Sequence, residues 1–304
     1  MKYKITHTTQ YYYGEPVPLC HNVVHLKPRD TQRQTCISHA IGISPSPTTM
    51  RERLDFFGNP VEWFSVQEPH ETLKIVAQSL VQVKGGFEPP TGLWWPAWDE
   101  VARMLGGRRD AALLDARQFT FDSTFVPIHA ELAEYARPSF APGRPMLECV
   151  VELTNRIYSE FKFDSGVTTI GTPVLDVLHH RHGVCQDFAH LQIGCLRSLG
   201  LAARYVSGYL VTRPPPGRAR LVGADTSHAW VSAYFPDYGW IDFDPTNGLI
   251  PSQGHITLGW ARDYDDISPV RGVVVGGRHH RLGVSVDVEP LNAEDKRQSK
   301  IMPL

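Results

Sequence analysis

Residues 183–200, GVCQDFAHLQIGCLRSLG, have the apolar spacing of a helix that starts at Cys185. Gly200 suits the position just after a helix C-terminus, where glycine adopts the left-handed conformation at little cost. On a helical wheel the side of Cys185 carries Phe188, Ala189, Gln192, Leu196 and Leu199. The far side carries Asp187, His190, Arg197 and Ser198. The pattern therefore predicts a helix with a thiol at the head of its buried face and a polar face opposite.

The position of this thiol at the start of a helix affects its reactivity. A helix N-terminus presents unpaired N–H groups and a partial positive charge, which favour a thiolate over a thiol. Of the five cysteines only Cys185 is so placed, and Cys195, in the middle of the same helix, is predicted to be a core residue. Five scattered cysteines, an odd number, do not indicate a disulfide framework. Cys185 is therefore the candidate nucleophile.

A thiolate nucleophile needs a histidine to hold its proton and a third group to orient that histidine. His228 lies at the start of a strand-like run, DTSHAWVSAYF (residues 225–235), on the side away from the aliphatic residues. The next run, GWIDFDPT (residues 239–246), places Asp242 and Asp244 on one face of a second strand. An antiparallel pair could bring either carboxylate to the imidazole, and strand parity alone does not choose between them.

The two ends of the chain differ in pattern. Apolar residues alternate over residues 73–83, and LDFFGNPVEWF (residues 54–64) is typical of a hairpin, so the first part is predicted to be all-β. Residues 84–92, KGGFEPPTG, have the composition of an interdomain connection. Beyond them a helical spacing over residues 146–157 and later strand-like runs predict an α+β region. We predict an N-terminal β-domain at 1–88 and a catalytic domain at 89–304.

Composition excludes several classes. The 304 residues are 42% hydrophobic and 20% charged, as in ordinary globular proteins, with a net charge of -2 and a pI of about 6.7. No global field would attract nucleic acid or an acidic membrane. The N-terminus lacks the apolar run of a secretory signal, and no stretch reaches the ~18 apolar residues of a membrane span. We expect a soluble, cytoplasmic protein without a nucleic-acid or membrane partner; the sequence does not indicate an oligomeric state.

Three stretches in chain order, GVCQDFAHL, SHAW and GWIDFDPTNG, resemble the bacterial transglutaminase-like family. HNVVHLKPR and DFFGNPVEWF are similar to the N-terminal β-domain of that family, and HITLGWARDYDDISPVRG is also similar. The resemblance implies a papain-like core, in which the cysteine-bearing helix packs on an antiparallel sheet. It also implies that Cys185 is the nucleophile, His228 the general base and acid, and Asp244 the orienting group, because the family's aspartate precedes Pro-Thr.

The resemblance implies a thiol acyl-transfer enzyme that attacks an amide of a peptide or protein substrate through a thioester. Water as acceptor would make it a cysteine peptidase or amidase, and an amine would make it a transglutaminase; the alternative is a catalytically silent binding or scaffold protein. The backbone N–H of Cys185 is the natural first oxyanion donor, and Tyr158 is a candidate second donor. We expect no cofactor and no metal, since His179, His180 and His182 lack the spacing of a zinc site.

Overall fold

The computed structural model describes residues 1–86, 95–107, 111–211 and 226–291, without the side chains of Ala112 and Thr226. The described strands are β1 (Lys2–Val17), β2 (Leu19–Val24), β3 (Gln34–Ser44), β4 (Thr49–Leu54), β5 (Pro60–Val66), β6 (His70–Val83), β7 (Lys162–Phe163), β8 (His182–Gly183), β9 (Ala203–Leu210), β10 (Thr226–Phe235), β11 (Gly239–Phe243), β12 (His255–Ala261), β13 (Val270–Val275) and β14 (His280–Leu291). The described helices are α1 (Trp98–Gly107), α2 (Ala111–Arg117), α3 (Ala130–Ala136), α4 (Met146–Glu160), α5 (Val174–His180) and α6 (Cys185–Ser198). The predicted domain boundary at residue 88 lies outside the described residues, so that division stays a prediction.

The N-terminal strands form two antiparallel sheets, in the orders β14-β1-β6-β3 and β13-β2-β5-β4. The alternation predicted over residues 73–83 is confirmed in β6, where Leu73, Ile75 and Val81 are fully buried. The predicted hairpin is confirmed as well: β4 and β5 pair through a short turn in which Gly58 adopts a φ of +74°. Glycine is favoured there because a side chain is strained at positive φ.

Both N-terminal sheets contain a strand from the far end of the chain. β14 pairs with β1 from Lys2 to Tyr13, and β13 pairs with β2 along its whole length. The outer edges of β1 and β2 are therefore covered by residues that follow them by more than 240 positions. No local sequence pattern signals this closure.

A third antiparallel sheet, in the order β11-β10-β9-β12, carries α6 on one face. The helix begins at Cys185 and ends at Ser198, as predicted. Gly200 has a φ of +80° and its N–H bonds the Arg197 carbonyl at 2.9 Å, while the N–H of Leu201 bonds the Leu196 carbonyl at 3.0 Å. This pair of bonds is the Schellman termination of a helix. The α+β class, with a helix packed on an antiparallel sheet and a sheet-rich N-terminal region, is confirmed.

The predicted polar face of α6 is wrong. Asp187, His190 and Arg197 are all buried. Residues 119–125 and 262–264 cover His190 and Arg197, and Thr168 bonds Asp187. These segments supply the acceptors and donors that buried polar groups need. The guanidinium of Arg197, for example, donates to three backbone carbonyls, those of Phe119, Ala203 and Arg262.

Two side-chain amides join the N-terminal sheets to β12, the edge strand of the third sheet. Gln34 donates to the Thr257 carbonyl at 2.7 Å and accepts from the Thr257 N–H at 2.8 Å. Asn59 makes the equivalent pair of bonds with the carbonyl and N–H of Trp260, at 2.8 and 3.0 Å. Each side-chain amide makes the pair of hydrogen bonds that a neighbouring strand would make. Part of the backbone at the edge of β12 therefore has hydrogen-bond partners without a further strand.

A stack of alternating cations and indoles crosses the same junction. The guanidinium carbons of Arg29 and Arg204 lie 3.7 and 3.8 Å from the ring centre of Trp260, and Arg204 also lies 4.1 Å from the ring centre of Trp240. Arg204 is thus held between two indoles by cation–π attraction.

In the described part of the chain, no helix has both the length and the hydropathy that a bilayer span demands.

Candidate active site

Asp187, the third residue of α6, fixes the first turn of that helix. Its Oδ2 accepts a hydrogen bond from the Val184 N–H at 2.8 Å, which is the reach-back bond of a capping box. The same oxygen accepts a second bond from the Thr168 hydroxyl at 2.7 Å. Glycine is needed at position 183, because a Cβ there would come within 2.7 Å of Oδ2 of Asp187. Cys185 is therefore held at the helix N-terminus, half-buried, with its thiol free of any disulfide.

The structure brings Cys185 and His228 together. Nε2 of His228 lies 2.8 Å from Oδ2 of Asp244, which leaves Nδ1 as the ring nitrogen for the Cys185 thiol, and the two side chains share a hydrogen bond. Burial disfavours the imidazolium, but the bonds to Asp244 and Cys185 outweigh it and raise the pKa of His228 to about 10. The imidazole therefore keeps its proton at neutral pH, the state that supports a thiolate beside it.

Asp244 is fully buried and accepts five hydrogen bonds. Oδ2 accepts from Nε2 of His228, from Nε2 of His255 at 2.9 Å and from Nδ2 of Asn247 at 2.7 Å. Oδ1 accepts the backbone N–H groups of Thr246 and Asn247, at 2.9 and 3.2 Å. Burial opposes the charge, but these donors hold the pKa of Asp244 well below its usual range. The carboxylate stays ionised and fixes the orientation of the His228 ring.

Two residues of this network were not predicted from the sequence. His255, the first residue of β12, and Asn247, in the loop after β11, both bond the carboxylate of Asp244. Asn247 stands three residues after Asp244, so the DPTNG stretch could have suggested an Asx-type turn. His255 reaches Asp244 only because β12 lies beside β9 in the sheet, and nothing local in the sequence gives that order.

The remaining predicted residues lie nearby or apart. Asp242, on β11, lies opposite Ser232 on β10 and acts electrostatically on Arg204 rather than on His228. Tyr158 is largely exposed and its ring lies against Gly248, where a Cβ would approach within 2.8 Å of it. The tyrosine is thus next to the loop that follows Asp244, and its role as an oxyanion donor stays a prediction.

Among the described residues, one group of three side chains has the geometry to hold a metal ion: His228, Asp244 and His255. Its three ligand atoms already bond one another, since Oδ2 of Asp244 is shared by both Nε2 atoms. The histidine cluster considered in the sequence is used otherwise, with His179 bonded to Glu131 at 2.7 Å and His180 stacked on His182. The expected absence of a metal stays a prediction.

Exhaustive dialysis against EDTA is expected to leave both the turnover and the thermal unfolding midpoint unchanged. The physical reason is that hydrogen bonds already occupy the three candidate ligand atoms and hold the carboxylate charged. Activity and unfolding measured on the same sample before and after dialysis check this. A loss of activity that Zn²⁺ restores would contradict it.

Iodoacetamide at neutral pH is expected to modify Cys185 at least about tenfold faster than the other four thiols. Burial raises the pKa of Cys20, Cys36, Cys149 and Cys195, whereas Cys185 stands at a helix N-terminus beside the His228 imidazole. Peptide mapping by mass spectrometry over time gives the five rates. His228→Ala is the control and should slow the labelling of Cys185 alone; equal rates for all thiols in the wild type would contradict the prediction.

The arrangement defines a class: a cysteine at a helix N-terminus, packed on an antiparallel sheet that supplies a histidine and an aspartate. Comparison with known proteins agrees with it. Residues 3–82 match the bacterial transglutaminase-like N-terminal region, and residues 133–245 match the transglutaminase-like superfamily. The chain belongs to the transglutaminase-like superfamily.

Two of the similar proteins match almost the whole chain, and a third matches part of it. An uncharacterized protein of Mycobacterium tuberculosis is 42% identical over 303 residues, which span 96% of this chain and 94% of the relative. The solved structure of a candidate cysteine protease from Cytophaga hutchinsonii has the same fold, with a TM-score of 0.69 at 22% identity over 96% of this chain and 92% of that one. A protein-glutamine gamma-glutamyltransferase of Pseudomonas aeruginosa is 27% identical over 136 residues, 42% of this chain and 20% of the relative.

Proposed function

We propose that this protein is a thiol acyl-transfer enzyme that breaks an amide bond of a peptide or protein substrate through a thioester on Cys185. The observation that carries the proposal is the chain of contacts from the Cys185 thiol through His228 to the buried carboxylate of Asp244. Membership of the superfamily supports the reaction class. The triad roles of the three residues and the identity of the acceptor are part of the proposal.

In the first half-reaction the Cys185 thiolate attacks the amide carbon, and the carbonyl oxygen becomes an oxyanion. The first N–H groups of a helix have no partner inside it, so the backbone N–H of Cys185 can donate to this oxygen. The carbon–nitrogen bond then breaks as Nδ1 of the His228 imidazolium gives its proton to the leaving amine. The products of this half-reaction are a thioester on Cys185, a free amine and a neutral imidazole.

In the second half-reaction water attacks the thioester while neutral His228 takes one of its protons. The carbon–sulfur bond breaks, which releases the carboxylic acid and restores the thiolate and the imidazolium. A primary amine in place of water would give a new amide by the same steps. We propose water as the acceptor, so the enzyme would be a hydrolase, and transamidation is the competing outcome of the experiment.

The test is intact-mass spectrometry of a glutaminyl peptide incubated with the enzyme, with and without an excess of a primary amine. We expect cleaved or deamidated peptide in both samples, because water attacks the thioester in each. The same peptide with Cys185→Ala is the control and should stay unchanged.

Two other results would revise the proposal. Peptide joined to the amine in the second sample would make the enzyme a transglutaminase, with the thioester chemistry retained. An unchanged peptide in every sample, together with equal alkylation rates for all five thiols, would support a catalytically silent protein on the same fold.

A further inference from the structure

A second site lies behind the candidate triad, on the face of the sheet β11-β10-β9-β12 opposite α6. A cavity of about 340 Å³ is lined there by three indoles, those of Trp230, Trp240 and Trp260, and is covered by residues 31–34 of the N-terminal region. Its volume is within the usual range for small-molecule sites. None of Cys185, His228 and Asp244 lines it.

Arg204, which lines this cavity, has no hydrogen-bond or ion-pair partner among the described residues. Its side chain is held between the Trp240 and Trp260 rings and is only 8% exposed. Nε of Arg204 is buried without a partner, and no described residue bonds its other N–H groups. Guanidinium groups buried in proteins are normally paired with an anion, because an isolated charge is unfavourable away from water. Asp242 lines the cavity too, but it acts on Arg204 at a distance and forms no ion pair with it.

Other unpaired nitrogens surround the same cavity. Nε1 of Trp230, Nδ1 of His255 and Nε of Arg33 are buried without a partner, and all three residues line the cavity. Trp230 is 0% exposed and His255 7%. The cavity therefore combines the unpaired guanidinium of Arg204 with apolar indole surface. An occupant that satisfies both carries an acceptor-rich, negatively charged group on an apolar body.

We infer that this cavity binds a small organic carboxylate whose charged end pairs with the guanidinium of Arg204 and whose apolar body lies among the indoles. A carboxylate matches the planar fork of a guanidinium, which donates two parallel bonds to it. Burial lowers the pKa of Arg204 to about 9, and a bound anion would act in the opposite direction. The occupant also reaches His255, whose Nε2 bonds Asp244, so the cavity adjoins the candidate triad through one side chain.

Isothermal titration tests this site with two carboxylates, phenylacetate and indole-3-acetate, against their neutral amides, phenylacetamide and indole-3-acetamide. The host protein is Cys185→Ala, so that the result does not depend on the proposed reaction. We expect saturable binding of at least one carboxylate with a Kd of about 1 mM or tighter, and binding of its amide at least about tenfold weaker. Wild-type protein should give the same Kd, because Cys185 does not line the cavity.

Matched variants locate the site. Arg204→Lys keeps the charge but removes the fork, and it should weaken binding at least about tenfold. Arg262→Lys is the control, since Arg262 pairs with Asp266 and does not line the cavity, and its Kd should be unchanged. Circular dichroism checks that each variant is folded.

Several results would overturn the inference. They are no saturable binding of either carboxylate up to about 10 mM, amides that bind as tightly as the acids, or a folded Arg204→Lys variant with an unchanged Kd. A probe that binds the wild type but not Cys185→Ala would place the binding at the thiol and equally overturn it. Because the comparison of acid with amide needs no variant of Arg204, it stands even if that variant fails to fold.

Discussion

Replacing Cys185 with alanine is expected to lower turnover of the glutaminyl peptide by about 10³-fold or more while the protein stays folded. The thioester forms on Sγ of Cys185, and alanine has no atom that can replace it. The side chain is half-buried at a helix end, so we expect the free energy of unfolding to change by less than about 1 kcal/mol. His228→Ala should lower turnover as severely, because the thiol loses its proton acceptor. Steady-state kinetics and urea unfolding of the same preparations measure both effects.

Cys195→Ala is the matched control, because it removes a thiol from the same helix at a position away from the reaction. Cys195 is fully buried in the core beside the sheet, so its loss leaves a small cavity and should lower the free energy of unfolding by about 1–2 kcal/mol. Its turnover should stay within about twofold of wild type. Loss of activity in Cys195→Ala together with an active Cys185→Ala would show that the candidate nucleophile is wrong.

Asp244→Asn is expected to lower kcat/KM by about 10²- to 10⁴-fold and to move the alkaline limb of the pH profile to lower pH. Asparagine keeps the shape of the side chain but removes the charge that supports the His228 imidazolium. In the wild type His228 has a pKa raised to about 10, so it holds its proton below that pH and activity falls as the pH rises through it. Without the carboxylate, burial of the imidazole dominates and the proton is lost at a lower pH.

The measurement is kcat/KM between neutral pH and the onset of alkaline unfolding, for wild type and variant. Asp263→Asn is the matched control, since Asp263 is also buried and accepts backbone N–H groups, those of Phe125 and Asp265, but lies away from His228. It should lower stability without moving the alkaline limb. An alkaline limb that is unmoved in Asp244→Asn would show that Asp244 does not support the imidazolium.

The elements with a strong local period could be predicted from the sequence. The spacing after Cys185 gives the start and end of α6, and the alternation in residues 73–83 gives the buried face of β6. A periodic pattern indicates which side of a helix or strand is apolar, and it predicts the buried face correctly when only one face packs against the protein. This inference fails for α6, where the side that carries Asp187 and Arg197 is buried too. A sequence does not distinguish a buried polar residue that has hydrogen-bond partners from a polar residue on the surface.

Some residues of the candidate site could likewise be predicted from local sequence, and others could not. His228 lies on β10 and Asp244 directly follows β11, the strand that a short turn joins to it. Their closeness therefore follows from local pairing, although parity could not separate Asp244 from Asp242. The resemblance favoured Asp244, and the structure places its carboxylate 2.8 Å from His228. His255 could not be predicted, because its strand crosses to the far edge of the sheet, beside β9, and strand order is a property of the whole fold.

The pairing of β13 and β14 with β2 and β1 has a consequence for synthesis on the ribosome. Residues 2–24 leave the exit tunnel before residues 270–291, and their outer edges gain partners only when those later residues have followed. Until then the nascent chain carries two unpaired strands, which are prone to pair with other chains. The helix that bears Cys185 and strands β9 to β11 are complete before β13 and β14, so β1 and β2 are translated before these elements but gain all their partners after them.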